Sequence, residues 1–289
     1  MTPPTARPRL LGVVNVTPDS FSDGGRWTDP ESAIAHGRQL VADGADIVDV
    51  GGESTRPGAT RPFATEELAR VLPVIEALAG DGAVVSIDTM RADVAERALG
   101  AGASIVNDVS GGLADDRMLA LVAGSEATYV AMHWRAHADH MRDFASYDPE
   151  EGGVVSVVRE ELSRRLDAIE AAGIDLERVV LDPGLGFAKR PEHDWAVLRG
   201  LDVLHGLGLP LLIGASRKSF LGRLLGSQGA VRPVTERDPA TTALTTWLAV
   251  QPTPVWGIRV HDVRSSRDAL AVVDRLTTPL PDGALEDTP

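Results

Sequence analysis

The sequence has 289 residues, of which 43% are hydrophobic and 24% charged, and its formal net charge is -14 at pH 7. This is the composition of an ordinary globular protein with a sizeable core, and the acidic balance argues against a broad surface for nucleic acid or anionic membranes. The absence of cysteine excludes thiol nucleophiles, thiolate metal sites and disulfides, and it suits a reducing compartment. Because we find no apolar leader and no apolar run that could span a bilayer, we expect a cytoplasmic protein.

Eight short β-branched runs alternate with segments of helical periodicity along the chain. Three helical segments are followed by Gly44, Gly102 and Gly173, as expected where a left-handed residue ends a helix. Apolar strands flanked by amphipathic helices predict an α/β fold, and eight such units in this length predict a single-domain (β/α)8 TIM barrel. The alternative is an open doubly wound sheet, but the first strand lacks the glycine-rich turn of a dinucleotide site. We predict a barrel over residues 9–276, with flexible tails at 1–8 and 277–289.

Each of the eight apolar runs ends in hydrogen-bonding or ionisable side chains. In a TIM barrel the carboxyl ends of the strands form the active-site face. Each residue also has a structural reading, because Asp88 suits a helix N-cap, Asp182 a turn and Asp108 a loop cap. Eight coincident cases favour a functional face. The strand-end residues are Asn15, Asp49, Glu53, Asp88, Asn107, Asp108, His133, Asp182, Ser216, Arg217, Lys218, Arg259, His261 and Asp262.

Cations gather at the same strand ends. If a helix begins near Ser216, then Arg217 and Lys218 lie in its first turn, where the helix dipole disfavours cations, and this indicates an anionic or electron-rich ligand. Arg259 and His261 are two residues apart on a strand, so both side chains point toward the barrel mouth. Together with arginines of the second loop, these cations form a rim at one end of the barrel, and a cationic rim suits a phosphate-bearing substrate. Its members are Arg56, Arg61, Arg217, Lys218, Arg259 and His261.

A second cluster combines His133, His137, His140 and Asp143, and helical spacing could align several of them as metal ligands. The segment has no His-Glu-x-x-His pattern, and no second cluster accompanies it. His133 alone is also typical of a histidine satisfied in the core. We therefore expect His137 and His140 to be solvated loop residues.

Taken in chain order, the strand-end motifs resemble those of the dihydropteroate synthase family over residues 9–276. Two stretches, "GGRWTDPESAI" and "SIDTMRADVA", look most like actinobacterial members. After "MH" the chain has Trp134-Arg135-Ala136, where many relatives have a glycine two residues further on, and this departure affects the loop near the pterin edge. The motifs are "NVTPDSFSDGG", "GGESTRPGA", "SIDT", "NDVSGG", "MH", "DPGLGF", "GASRKSF" and "RVHD".

The resemblance implies a transferase of folate biosynthesis that condenses 6-hydroxymethyl-7,8-dihydropterin pyrophosphate with p-aminobenzoate to give 7,8-dihydropteroate and pyrophosphate. It also implies Mg2+ as cofactor, a homodimer, and sulfonamides as inhibitors, with no nucleic-acid or membrane partner. Pyrophosphate is expected to leave first, and the pterin methylene cation is then attacked by an amine that is already neutral. The implied catalytic residues are Asp88, Asp182, Lys218, Arg259 and His261.

The resemblance also implies three binding groups. The pterin residues are Asp88, Asn107, Met132, Asp182, Phe187, Lys218 and Arg259. The pyrophosphate residues are Asn15, Thr55, Arg56, Arg259 and His261, with Asn15 also at the metal. The p-aminobenzoate residues are Phe21, Pro57, Lys218 and Ser219. The first loop, which carries Phe21, is expected to act as a lid hinged at Gly24 and Gly25.

Two other functions stay open at this stage. A pterin-dependent methyltransferase barrel shares the carboxylate and amide contacts, but it needs no pyrophosphate site. A catalytically silent paralogue that only binds pterin would have little use for Arg259 together with His261.

Overall fold

The computed structural model describes residues 7–17, 30–53, 62–137, 140–227 and 229–278. In this part of the chain, eight parallel strands form one sheet. The strands are β1 (Arg9–Asn15), β2 (Ile47–Gly51), β3 (Val85–Asp88), β4 (Ile105–Asp108), β5 (Thr128–Met132), β6 (Val179–Asp182), β7 (Leu212–Ile213) and β8 (Gly257–Val260).

Helices alternate with these strands. The α-helices are α1 (Pro30–Ala42), α2 (Ala64–Gly80), α3 (Ala92–Gly100), α4 (Met118–Ala123), α5 (Gly153–Ala171), α6 (Pro191–Arg199), α7 (Leu201–His205), α8 (Ser219–Leu224), α9 (Asp238–Ala249) and α10 (Val263–Thr277). Short 3-10 helices occur at Met141–Phe144, Pro149–Glu151, Leu176–Arg178 and Val234–Glu236.

The sheet closes into a barrel. Its strand order is β6-β5-β4-β3-β2-β1-β8-β7, and a parallel bridge between Leu181 and Leu211 joins the two outer strands. Every ladder is parallel, from β1 with β2 to β7 with β8. The predicted single-domain (β/α)8 barrel is therefore confirmed, and the doubly wound alternative is rejected.

The predicted helix ends are also confirmed. Gly44, Gly102 and Gly173 have φ angles of 100°, 107° and 86°, a region that glycine adopts without steric cost. Arg7 lies within the predicted N-terminal tail, yet both of its terminal nitrogens donate to the carboxylate of Asp46 at 2.6 and 2.7 Å. None of the described helices is long and apolar enough to cross a bilayer.

A layer of apolar side chains fills the barrel interior below its carboxyl end. Because side chains of a strand alternate between its two faces, the residue two positions later points in the same direction but one layer higher. Three polar residues follow residues of this layer by two positions and therefore lie above it: Asp49 after Ile47, Asn107 after Ile105, and Asp182 after Val180. The layer consists of Leu11, Ile47, Ile105, Val130, Val180 and Leu212, with Trp256 packed against it.

The opposite faces of the strands pack against the helices in the main core. Asp108, at the end of β4, is completely buried here rather than in the barrel mouth. Its carboxylate accepts hydrogen bonds from the N–H and hydroxyl of Ser110, the N–H of Gly112 and the hydroxyl of Tyr129, at 2.6 to 2.9 Å. For Asp108 the structural reading, a cap for the loop that follows, is the one that the structure shows.

We expect Asp108→Ala to lower the free energy of unfolding by about 3 kcal/mol or more, because the substitution leaves several buried donors without an acceptor. Urea unfolding followed by circular dichroism measures this loss. Asp116→Ala, two residues before α4 and exposed, is the matched control and is expected to change stability by less than about 0.5 kcal/mol. Equal losses in the two variants would contradict the assignment.

Candidate active site

A pocket opens at the carboxyl ends of the strands, directly above the apolar layer. All seven residues that were predicted to bind the pterin line it, together with His261, which was predicted to bind the pyrophosphate. Ser216, Val109 and Gly214 complete the described lining. The lining residues are Asp88, Asn107, Val109, Met132, Asp182, Phe187, Gly214, Ser216, Lys218, Arg259 and His261.

Other predicted site residues are not in this lining. Asn15 ends β1 at the same face of the barrel and is half-buried, whereas Ser219 is exposed at the start of α8. The remaining ones, and the hinge glycines, lie outside the described residues: Phe21, Gly24, Gly25, Thr55, Arg56, Pro57 and Arg61.

The central cation of the pocket is Arg259, which lies between two carboxylates. Its Nε donates to Oδ2 of Asp49 at 2.5 Å, and its Nη2 donates to Oδ2 of Asp88 at 2.8 Å. Burial alone would lower the pKa of Arg259, but the two carboxylates raise it above the ordinary arginine value. The guanidinium is therefore permanently charged and held at two of its nitrogens.

Asp49 also fixes the amide of Asn107. The side-chain nitrogen of Asn107 lies 3.3 and 3.2 Å from the two carboxylate oxygens of Asp49, whose side chain is fully buried. With its N–H2 group turned toward Asp49, Asn107 presents its carbonyl oxygen as an acceptor for a ligand N–H. Asp49 is thus a residue of the site that the sequence prediction did not assign, although it was recognised as a strand-end group.

The two pocket carboxylates, of Asp88 and Asp182, are both buried. Burial and the nearby charge of Asp49 raise the pKa of Asp88 above the ordinary aspartate value, against the attraction of Arg259. Burial likewise raises the pKa of Asp182, which accepts the N–H of Gly184 at 2.7 Å. A ligand with several N–H groups would supply further donors and so favour the ionised form of each carboxylate.

Lys218 brings the second cation into the pocket. Its Nζ donates to the carbonyl of Leu185 and lies 4.8 Å from the ring centroid of Phe187. A side chain added at Gly214 would come within 4 Å of Asp182 and Lys218, so the glycine keeps the space between them open. Burial lowers the pKa of Lys218 from the ordinary 10.5 to about 8, although Asp182 opposes the shift.

His261 is oriented by Ser216, a second group that the sequence prediction left out of the site. The hydroxyl of Ser216 accepts the backbone N–H of His261 at 3.2 Å and lies 2.9 Å from Nδ1 of the ring. The sequence marks Ser216 and Asp49 in the same way, because each lies at a strand end close to an inward-pointing apolar residue. The alternation of strand side chains could have identified Asp49, because it follows Ile47 by two positions.

The prediction that Arg217 lies in the first turn of a helix beginning near Ser216 is wrong. Arg217 precedes α8 with a φ of 59°, and its Nε and Nη2 each donate at 2.7 Å to the carboxylate of Asp238, the first residue of α9. The helix begins at Ser219 rather than near Ser216. Lys218 is thus the member of this pair that faces the pocket, while Arg217 joins two helical segments.

The histidine cluster lies beside the pocket rather than in it. His133 is 2% exposed and its Nε2 lies 2.6 Å from Glu161, while His140 Nδ1 is 3.7 Å from Asp143. Across the described residues, no group of three or more His, Asp or Glu side chains is arranged to hold a metal ion. The structure gives His133 the structural role of a buried, hydrogen-bonded histidine.

The departure at residues 134–136 now has a structural description. Trp134 packs against the apolar wall of the pocket that contains Val109 and Met132. Arg135 donates to both oxygens of Glu161, through Nε at 3.0 Å and Nη2 at 2.7 Å. The two side chains therefore join the pocket wall to α5.

Comparisons with known proteins show which family the chain resembles. A family profile described as "Pterin binding enzyme" matches residues 11–261. The chain is 53% identical over 266 residues to the dihydropteroate synthase of Mycobacterium leprae, with 92% of both chains covered. Among solved structures, it resembles the Yersinia pestis dihydropteroate synthase in complex with a sulfonamide drug (TM-score 0.85, 36% identity, 93% of this chain and 94% of the other). It also resembles the Xanthomonas albilineans dihydropteroate synthase with 4-aminobenzoic acid (TM-score 0.83, 41% identity, 94% of each chain).

The lowered pKa of Lys218 is directly measurable, because the sequence has only two lysines. In protein labelled with carbon-13 at the lysine ε position, we expect the Lys218 signal to titrate near pH 8, since burial disfavours its ammonium form. The signal is identified by its loss in Lys218→Met. A midpoint close to the ordinary lysine value would contradict the pocket described above.

Proposed function

We infer that this chain, which belongs to the dihydropteroate synthases within the pterin binding enzyme family, condenses 6-hydroxymethyl-7,8-dihydropterin pyrophosphate with p-aminobenzoate. The products are 7,8-dihydropteroate and pyrophosphate, and the reaction is a transferase step of folate biosynthesis. One observation of the structure carries the assignment of residues: all seven residues proposed for the pterin line a single pocket over the apolar layer.

The pocket matches the chemistry of a dihydropterin. The aminopyrimidinone edge carries several N–H donors, and Asp182, Asp88 and the carbonyl oxygen of Asn107 are acceptors that face the same space. The flat faces of the ring require apolar contacts, which Met132 and Phe187 supply. We propose that the ring lies between these residues with its substituted carbon toward the barrel rim.

We propose that the chain promotes loss of pyrophosphate by electrostatics rather than by proton transfer. The bond between the methylene carbon and the pyrophosphate oxygen breaks and leaves a positive charge on the pterin. This charge favours the ionised forms of Asp88 and Asp182, against the burial that raises their pKa, and the two carboxylates stabilise it in return. The amine of p-aminobenzoate then forms the new C–N bond and releases one proton. No general base is required, because the aryl amine is neutral before it attacks.

The pyrophosphate leaving group is proposed to bind at the basic side of the pocket. Arg259 and His261 project from the same end of β8 and are the proposed pyrophosphate ligands, and the permanent charge of Arg259 suits this role. Thr55 and Arg56 remain proposals for the same anion, and both lie outside the described residues. Asn15, at the end of β1, faces the same rim.

A magnesium ion fits this arrangement through the substrate. Mg2+ commonly binds through phosphate oxygens, waters and one or two protein oxygens, so the single amide oxygen of Asn15 suffices as a protein ligand. When bound, the ion neutralises charge on the departing pyrophosphate. Asn15 would hold the ion at the rim, and Arg259 would keep the pyrophosphate in place beside it.

The aryl amine is proposed to bind next to Lys218, between Phe21, Pro57 and Ser219. Phe21 and Pro57 lie outside the described residues, and the exposed Ser219 could reach a carboxylate at the rim. Because sulfonamides resemble p-aminobenzoate, we propose that they compete with it for this position. The support for this comes from the Yersinia pestis relative, which was solved with a sulfonamide drug.

We further propose a homodimer and a cytoplasmic location. An apolar groove of about 600 Å³ runs between α6, α8 and α9, and Trp195, Leu221 and Trp247 contribute to it. A second copy of the chain would cover this exposed apolar surface, in which Leu224 is 62% exposed. The location rests on the sequence composition alone.

The assignment is tested by incubating the protein with dihydropterin pyrophosphate and Mg2+, with and without p-aminobenzoate. We expect pyrophosphate and dihydropteroate in equal amounts, lost with a chelator and restored by Mg2+. Methyl transfer to a cobalamin protein, or tight pterin binding with neither product, would contradict it.

Arg259→Met is expected to lower kcat/KM by about a hundredfold or more, because it removes a charged donor to the leaving group. Arg264→Met, exposed on α10, is the matched control and should have no effect.

A further inference from the structure

The sequence contains 28 lysines and arginines, and only Lys189 and Lys218 are lysines. Both ammonium groups contact residues 183–190 between β6 and α6, a segment that we name the β6–α6 loop. Lys218 lies outside this loop and donates to the carbonyl of Leu185 in it, whereas Lys189 is itself a residue of the loop. In a chain that otherwise uses arginine, the two lysines occur where a compact ammonium group faces backbone carbonyls.

Three acceptors surround the ammonium group of Lys189. Its Nζ lies 3.0 Å from the carbonyl oxygen of Gly184, 3.3 Å from that of Phe187 and 2.9 Å from Nδ1 of His133. An ammonium group has three N–H donors that diverge from one atom, so it can satisfy all three, whereas the planar fork of an arginine cannot. Lys189 therefore joins two carbonyls of the loop to the end of β5.

His133 is held in the form that accepts this hydrogen bond. Burial and the charge of Lys189 lower the pKa of His133 to about 4, so the ring is neutral near pH 7. Its Nε2 lies 2.6 Å from Glu161, and although burial opposes ionisation, hydrogen bonds from His133 and Arg135 hold the pKa of Glu161 to about 2. The ionised carboxylate draws the ring proton to Nε2 and leaves Nδ1 as the acceptor for Lys189.

The backbone of the β6–α6 loop needs such support. Gly184, Gly186 and Ala188 all have positive φ angles, of 68°, 76° and 47°, and the value at Ala188 is unfavourable for a residue with a side chain. On the outer side, the hydroxyl of Tyr147 donates to the Ala188 carbonyl at 2.9 Å. Lys189 contacts two other carbonyls of the loop, those of Gly184 and of Phe187 itself.

We propose that Lys189 is a positioning residue for the pterin site, whose ammonium group fixes the β6–α6 loop so that the Phe187 ring faces the pocket and the Leu185 carbonyl holds Lys218 there. Lys189 is absent from the described lining of the pocket, so it acts on the ligand through Phe187 and Lys218, which belong to that lining. The proposal rests on the function inferred above, and it goes beyond that function by adding a residue.

The absence of cysteine permits a chemical test at a single atom. In Lys189→Cys, alkylation of the unfolded chain with 2-bromoethylamine followed by refolding restores an ammonium group on a side chain of lysine length. Alkylation with iodoacetamide gives a neutral side chain of similar size. Wild-type protein taken through the same steps is the control. Because burial lowers the pKa of Lys189 to about 7, all measurements are made below this pH.

We expect the iodoacetamide product to bind 6-hydroxymethylpterin about tenfold more weakly or worse, and the bromoethylamine product to recover most of this loss. The KM for dihydropterin pyrophosphate should rise with the same ratio in the neutral product, while kcat changes less. Lys189→Met, which needs no refolding, should match the neutral product, with circular dichroism as the check on folding.

Equal pterin affinity of the ammonium and neutral products would overturn the role of Lys189. Failure of the wild-type protein to form dihydropteroate would instead overturn the inferred function. The two failures are therefore distinguishable in one set of samples.

Discussion

The active-site pocket depends on one buried ionic interaction, in which Asp49 and Asp88 hold the guanidinium of Arg259 across the mouth of the barrel. Removing one partner of a buried ion pair leaves the other charge uncompensated, at a cost of about 3–5 kcal/mol. Since Asp49 also accepts from Asn107, a single carboxylate orients the cation proposed for the leaving group and the amide proposed for the pterin.

The barrel makes this arrangement possible through a simple alternation. Apolar side chains fill the interior, and the residues two positions later on the same strands carry the polar groups of the pocket. The apolar layer keeps water away from beneath Asp49 and Asp182, and burial then raises the pKa of Asp182 and lowers that of Lys218. Packing in the lower half of the barrel therefore sets the electrostatics of the upper half.

Sequence periodicity predicted the barrel, and the family resemblance supplied the seven proposed pterin residues. The structure brings these residues to one pocket, because the strand ends of a parallel barrel converge. The sequence patterns did not predict which strand-end residues face inward: Asp108 points to the outer core, and Arg217 pairs with Asp238. Such choices depend on strand register and on the exact residue where a helix begins. Asp49 was left out because its role is to bind other side chains, and the motif pattern does not show such pairings.

The most direct test of this account is the affinity for pyrophosphate with Mg2+ of wild-type protein and of Asp49→Asn, measured by titration calorimetry. Removing a negative charge next to an anion site should strengthen binding if Asp49 acts only through its charge. We predict the opposite, a loss of about tenfold or more, because the substitution leaves one neutral amide oxygen in place of the two carboxylate oxygens that accept from Arg259 and Asn107. Unchanged or tighter binding would contradict the central role of this interaction.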